Sequence, residues 1–432
     1  MTWTKTRLKH LCVDAGQYGL NISAQDYVST GCRLIRTSDI DEIGRLRSRE
    51  GAVYVDAPLD SRHEIRAGDL LLSRSGTIGR SMLLCELEEP STYAGYLVRF
   101  RPRPTTEPRF MAYVAVSRGF QGAIEADAVT STIQNFNAER YANIAVMLPP
   151  LDEQRRIADF LDAETARIDR TTAIREDARR VLIERRAAGA FGAVTGSWVR
   201  ERVPSTLAWV DSLPVMWQGV KLGHVARLGS GHTPSRSKPE WWVGCTIPWI
   251  TTGEVSQVRS DRLEVLTETR EMISETGLLN SSAEVHPKGT VVLCRTAASA
   301  GYSAVMGRDM ATSQDLATWT CGPKLDPFFL LWCLRVMRAD LLDRLAMGST
   351  HKTIYMPDLQ GLRIPLPGRE EQEKIVAEIR SSNAAVDSAV DAIDRQLALL
   401  AERRQALITA AVTGQLDVTT ARGLSAAGGV AI

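Results

Sequence analysis

Arginine offers the most chemistry in this 432-residue chain. It supplies 44 of the 52 basic side chains, and no Lys occurs between Lys9 and Lys221. A planar guanidinium fork pairs two-pronged with a phosphate or with the edge of a guanine. A GC-rich genome produces the same bias, and a net charge of +1 does not advertise a nucleic-acid partner. Charge alone decides nothing.

Catalytic constellations are harder to find. The chain has no Gly-x-x-x-x-Gly-Lys-Ser/Thr phosphate loop, Gly-x-Ser-x-Gly elbow or His-Glu-x-x-His pair, which disfavours an ATP motor, an α/β-hydrolase and a zinc hydrolase. Leu148-Pro149-Pro150-Leu151 lacks the polar head and aromatic end of the Asn-Pro-Pro-Tyr type of amino-methyltransferase, and Leu228-Gly229-Ser230-Gly231 matches a cofactor loop only in its two glycines. Pro357-Asp358 could open a nuclease site, but Lys374 follows Gln372-Glu373 and leaves the acid misplaced. Glu370, Glu371 and Glu373 read better as the acidic first turn of a helix. Seven scattered cysteines without a Cys-x-x-Cys pair suit reduced thiols in a cytoplasm, and six dispersed histidines give a metal centre no support. No apolar run reaches the roughly 18 residues of a membrane helix, and the start of the chain lacks a signal-peptide core. Catalysis by this chain is disfavoured.

The elements that must position any binding residues occur twice. Leu148-Pro149-Pro150-Leu151-Asp152-Glu153-Gln154 opens a helix-like run that ends at Thr195-Gly196. Leu366-Pro367-Gly368-Arg369-Glu370-Glu371-Gln372 opens another that ends at Thr413-Gly414. A shift of 218 residues superposes both ends without a gap and puts Glu153, Gln154, Ile157, Asp169, Glu184, Arg185, Arg186 and Ala193 through Gly196 on identical residues. Two anchors in one register imply internal duplication. Asp152 is placed to cap the first helix after Pro149-Pro150. Ile157, Leu161, Ile168 and Leu182, with Ile174, Ala178 and Val181 beside them, give its apolar stripe, interrupted at Arg175. In the second helix Ile379, Val386, Ile393, Leu400 and Leu407 lie seven apart, flanked by Ile375, Val390 and Leu397. Such a stripe predicts a coiled-coil seam, the alternative being a helix lying on a globular core.

Fainter matches extend the duplication into the segments between. Trp217 through Leu222 follows Trp3 through Leu8 at a shift of 214, Thr252 through Val255 follows Thr37 through Ile40 at 215, and Gly289 through Arg295 follows Gly68 through Arg74 at 221. Glu64 through Arg74 reads as a turn feeding a buried strand, Tyr96 through Phe100 as a strand, and Pro108 through Phe120 as one helix. The chain is thus expected to be α+β, with globules at 1–150 and 198–368, long helices at 151–197 and 369–417, and a disordered Gly- and Ala-rich tail at 418–432. The two helices can pair antiparallel, giving a pseudo-two-fold repeat.

Pro-Leu-Pro before Glu-Glu-Gln-x-x-Ile, a long helix and a closing Ala-Val-Thr-Gly resemble the specificity (S) subunit of type I restriction-modification enzymes. So do Leu213-Pro214-Val215-Met216-Trp217, Gly231-His232-Thr233-Pro234-Ser235, Trp241-Trp242 and Ile247-Pro248-Trp249-Ile250. The likeness covers nearly the whole chain. The first globule departs from it by starting almost at Trp3 and lacking a Thr-Pro-Ser loop.

The resemblance implies two target recognition domains, each reading half of a split sequence in double-stranded DNA. It implies an antiparallel coiled coil that spaces them and docks two methyltransferase (M) subunits, and restriction (R) subunits where the system has them. About 35 helical residues at about 1.5 Å each make a spacer near 50 Å, longer than one DNA turn of about 34–36 Å. S-adenosylmethionine, ATP and Mg are expected only in the partner subunits, and a cytoplasmic, non-catalytic protein with no membrane partner follows. DNA-contacting candidates are Arg74, Ser75 and Thr77 with Arg295 and Thr296; Thr132, Gln134 and Asn135 with Thr350, His351 and Lys352; and His232, Thr233, Ser235 and Arg236. Arg suits guanine, while Gln and Asn suit adenine. Each can equally be a solvated loop residue. Trp241, Trp242 and Trp249 are expected in the core rather than against bases. Glu153, Gln154, Arg185 and Arg186 with Glu371, Gln372, Arg403 and Arg404 are partner-docking candidates, the arginine pairs alternatively serving the helix dipole. A coiled-coil scaffold whose globules bind protein is the competing expectation.

Overall fold

The computed structural model describes residues 3–41, 43–56, 60, 62–128, 135–347 and 353–418. Thr132, Gln134, Thr350, His351, Lys352 and the tail after residue 418 lie outside them. The chain divides into two compact units, Met1–Glu176 with Asp394–Ile432, and Asp177–Ile393. The division falls inside the long helices rather than at their ends, because each half-helix packs on one globule.

In the first unit, strands Thr4–Arg7 and Ala145–Leu148 pair antiparallel, Thr4 opposite Leu148. A four-stranded antiparallel sheet carries Gln17–Tyr18, Leu97–Phe100, Leu70–Ser73 and Ser81–Leu83 in that order. A second four-stranded sheet holds Tyr27–Val28, Tyr54–Val55, Cys32–Ile35 and Ser91–Tyr93. The expected buried strand is present: Leu70, Leu71, Leu72 and Ser73 are fully covered. The expected single helix is two, Pro108–Val116 and Arg118–Ala128. Ser117 breaks it with extended backbone (φ −70, ψ 151), and its hydroxyl takes over the Val114 carbonyl at 2.7 Å. The apolar faces of these helices join Leu8, Leu11, Phe100 and Tyr141 in one core with Ile157 and Leu161 of the first long helix and Ile408, Ala411 and Val412 of the second.

The second unit repeats this frame. Strands Gln218–Lys221 and Arg363–Leu366 pair antiparallel with Gln218 opposite Leu366, the register of the first unit shifted by 214 and 218. A five-stranded sheet runs Ala226–Ser230, Leu316–Cys321, Val291–Cys294, Ser303–Met306 and Val265–Leu266, and a four-stranded sheet holds Glu271–Ile273, Ile247–Ile250, Met310–Thr312 and Val285–His286. Leu228-Gly229-Ser230 is therefore strand rather than cofactor loop. The hairpin Arg202–Leu207 and Val210–Pro214 has no counterpart among the described residues of the first unit.

The long helices are Leu151–Thr195 and Arg369–Val412, 45 and 44 residues. At about 1.5 Å per residue each is about 65 Å long, more than the 50 Å expected. Asp152 lies inside the first turn and is not the cap; the Glu153 and Gln154 amides bond Pro150 O. Within each unit the two half-helices run antiparallel. In the first, Arg404 Nε meets Asp169 Oδ1 at 3.3 Å, while Ile157 and Leu161 share a core with Ile408 through Val412. In the second, Arg186 Nε meets Asp387 Oδ1 at 3.2 Å, while Ala190, Ala193 and Val194 share a core with Ile375, Val376 and Ile379. The stripe is narrower than expected in the first helix, where Ile174 and Val181 are exposed.

Candidate nucleic-acid interface

The first unit gathers its polar candidates at the end of one buried strand. Leu70–Ser73 and Ser81–Leu83 pair antiparallel, and between them Arg74 through Arg80 forms a tight connection. It turns on left-handed glycines, Gly76 (φ 72) and Gly79 (φ 82), a conformation that disfavours a side chain. Beside this hairpin opens a cleft of about 680 Å³, lined by Ser75, Thr77, Tyr96 and Asn21 and by two cations, Arg36 and Arg80. No carboxylate is among its lining residues. Asp39 holds Arg36 from behind through two bonds of 3.1 and 2.9 Å and raises its pKa above the usual value. Arg80 donates Nη1 to Ile40 O at 2.9 Å, with no carboxylate partner among the described residues.

Arg74 and Asn135, drawn from two separate predicted loops, meet: Arg74 Nε donates to Asn135 Oδ1 at 3.2 Å. The Arg74 guanidinium lies 4.7 Å over the Tyr18 ring, and the Tyr18 hydroxyl accepts from the Ala138 amide. Tyr18, Asn21, Arg36, Arg80 and Tyr96 were not among the predicted site residues. Arg80 closes a loop whose opening Arg74 was marked, so hairpin symmetry was the available signal. Tyr18 carries no such mark.

The second unit builds the matching place differently. Thr233 donates to Gln314 Oε1 at 2.6 Å, and Thr296 to Asp315 Oδ1 at 3.2 Å, so two predicted loops converge on the unpredicted pair Gln314-Asp315. His232 and Ser235 are exposed, and Ser235 Oγ bonds Ser237 Oγ. Arg236 is exposed yet held: its guanidinium sits 3.9 Å over Trp242 and donates to Glu271 at 2.6 Å. Trp249 is buried, whereas Trp241 and Trp242 are half-buried, so the expected core role holds fully only for Trp249. Arg295 is bonded to its own unit. Its Nη1 donates to Ile354 O at 3.0 Å and its Nη2 to Gln314 O, so the fork is closed on the chain's own backbone.

Six of the eight docking candidates also turn inward. Gln154 is buried, accepting from the Glu107 amide and donating to Pro149 O. Gln372 is buried too, accepting from the Asp326 amide and donating to Lys324 O and Pro367 O. Glu153 accepts from Trp3 Nε1 at 3.1 Å, and Glu371 from Trp217 Nε1 at 3.2 Å. Arg186 and Arg404 close on Asp387 and Asp169. These residues hold the fold; Arg185 and Arg403 alone remain exposed. Among the described residues no cluster of His, Cys, Asp and Glu suits a metal ion, and no helix is long and apolar enough to cross a membrane.

The model of the type I restriction modification DNA specificity domain matches residues 35–180 and again 214–383. The chain belongs to that family. Within it, the chain is 23% identical over 308 residues to the EcoBI specificity subunit of Escherichia coli, covering 69% of this chain and 64% of that one. It is 27% identical over 168 residues to the MjaIX specificity subunit of Methanocaldococcus jannaschii, 38% of each chain. The chain thus spans less than two-thirds of these curated family members. Over 96% of its length it shares its fold with a chain from a type I R-M assembly (TM-score 0.75, 22% identity, 98% of that chain). It also resembles the HsdS subunit of Thermoanaerobacter tengcongensis (TM-score 0.52, 23% identity, 96% of this chain and 97% of that one).

Proposed function

We propose that the chain is a sequence-specific DNA-binding subunit that reads a bipartite target, one half with each unit, and docks two methyltransferase subunits. Restriction subunits join where the system has them. One observation carries this: the family match occurs twice, on units that share one frame but present different polar loops. Docking two copies of one partner calls for repeated helices, while reading two half-sites calls for divergent loops. Arg185 and Arg403, exposed at matched points, are the docking residues retained from the helices. S-adenosylmethionine, ATP and Mg belong to the partners, and the chain acts in the cytoplasm with no membrane partner and no catalysis of its own. Phosphate contacts position such a protein, and base edges specify its site.

The test is co-expression with the modification subunit followed by genome-wide mapping of methylated adenine. Methylation of a split site is expected only when both are present. Exchanging residues 1–150 for those of a relative should change one half-site and leave the other. An unchanged pattern would favour the protein-binding scaffold, and DNA methylation or cleavage by the purified chain alone would overturn the proposal.

A further inference from the structure

We infer that the first unit reads a guanine through Arg74, and that the matching Arg295 of the second unit reads no base; the inference rests on the DNA-recognition function proposed above. Both arginines occupy one backbone circuit. The Arg74 amide donates to Tyr96 O at 2.9 Å, and the Phe136 amide donates to Arg74 O at 2.8 Å. The Arg295 amide donates to Asp315 O at 2.8 Å, and the Ile354 amide donates to Arg295 O at 2.9 Å. Each follows a fully buried strand and opens a turn that closes on a left-handed glycine, Gly79 (φ 82) or Gly301 (φ 84).

With the backbones matched, the side chains are in opposite states. Arg295 gives Nη1 to Ile354 O and Nη2 to Gln314 O, so each terminal nitrogen already spends one of its two N–H donors on the backbone and the side chain is held against its own unit. Arg74 is fixed by its Nε bond to Asn135 and by stacking on Tyr18, and among the described residues nothing accepts from its Nη1 or Nη2. Guanine presents O6 and N7 side by side in the major groove, which two parallel N–H donors satisfy together. Arg74 keeps those donors, in a plane set before binding, so less ordering entropy is lost when the contact forms. Tyr18 and Asn135 are positioning residues. A phosphate would also accept two-pronged from a free guanidinium, but it carries no sequence information, so such a contact would strengthen binding at every site alike.

The experiment uses the complex with its methyltransferase subunits, comparing methylated sites for wild type, R74K, R74A, Y18L and R295K, with thermal melting of each. The wild-type site should contain a guanine in one half. R74K and R74A should lower discrimination at that single base pair by about 10- to 100-fold while leaving the other half-site intact. Y18L should lower it less. R295K should keep every base preference and melt earlier. Undiminished discrimination by R74A would make Arg74 a phosphate contact and overturn the inference, as would a changed base preference in R295K. A wild-type complex that methylates without sequence preference would instead overturn DNA recognition itself.

Discussion

At the scale of single residues, the duplication writes the same bonds twice. Gln154 and Gln372 each accept from the amide preceding a helical Pro and donate to a carbonyl of the Pro-rich entry. Left unmet, each such buried group would cost about 1–3 kcal/mol. Other residues belong to one unit only. His286 is buried at the edge of the second unit's four-stranded sheet, beside Thr318 and beneath Gly229, and burial lowers its pKa below 6.5. The groups around it oppose one another, Glu284 raising the value and Arg227 lowering it. A histidine neutral when folded but protonated when unfolded makes the unfolded state bind more protons, so stability falls with acidification. Urea melts between pH 7.5 and 5 should show the second unit weakening as pH drops below about 6.5, and H286Q should flatten that dependence. A wild-type stability independent of pH across this window would refute the assignment.

At the scale of elements, each Trp clips the start of one long helix to the end of the other within its unit. Trp3 bonds Glu153 and lies 3.3 Å from the Cβ that Gly414 would carry; Trp217 bonds Glu371 and lies 3.0 Å from that of Gly196. Both glycines end a helix in the left-handed region, φ 63 for Gly196 and 75 for Gly414. A matched helix carboxylate in each unit is also clamped by two arginines: Asp169 by Arg404 and Arg45, Asp387 by Arg186 and Arg262. The arginine from the globule thereby fixes it on the helices. We expect G414A to lose about 1–2 kcal/mol from backbone strain. G196A should lose more, because its Cβ would sit 2.5 Å from the Pro214 ring. Chemical denaturation measures both; equal losses would show that the ring contact does not matter.

At the scale of the whole molecule, a net charge of +1 leaves the chain a poor DNA binder by charge alone. Many of its arginines are tied to carboxylates or carbonyls, which fits recognition by a few free forks with the phosphate contacts supplied by partners. The slope of log affinity against log salt counts neutralised phosphates. It should be shallow for the purified chain and markedly steeper once methyltransferase subunits are bound. A steep slope for the chain alone would place the phosphate contacts here instead.

The sequence by itself determined the duplicated frame, the two long helices, the buried strands and the family, because heptad spacing, Pro-rich entries and helix-ending glycines act locally and leave their periodicity in the chain. It also marked the hairpin at Arg74 and the loops at Thr233 and Thr296. Only the tertiary structure shows what those residues touch. Arg74 and Arg295 hold equivalent places in the sequence, yet one stacks on Tyr18 with no acceptor at its terminal nitrogens among the described residues and the other bonds Ile354 O and Gln314 O. Likewise Glu153, Gln154 and Arg186 carry bonds within their own units that their spacing did not record. A long polar side chain finds its partner through contacts distant in sequence, and no spacing rule records whether that partner is its own chain or another molecule.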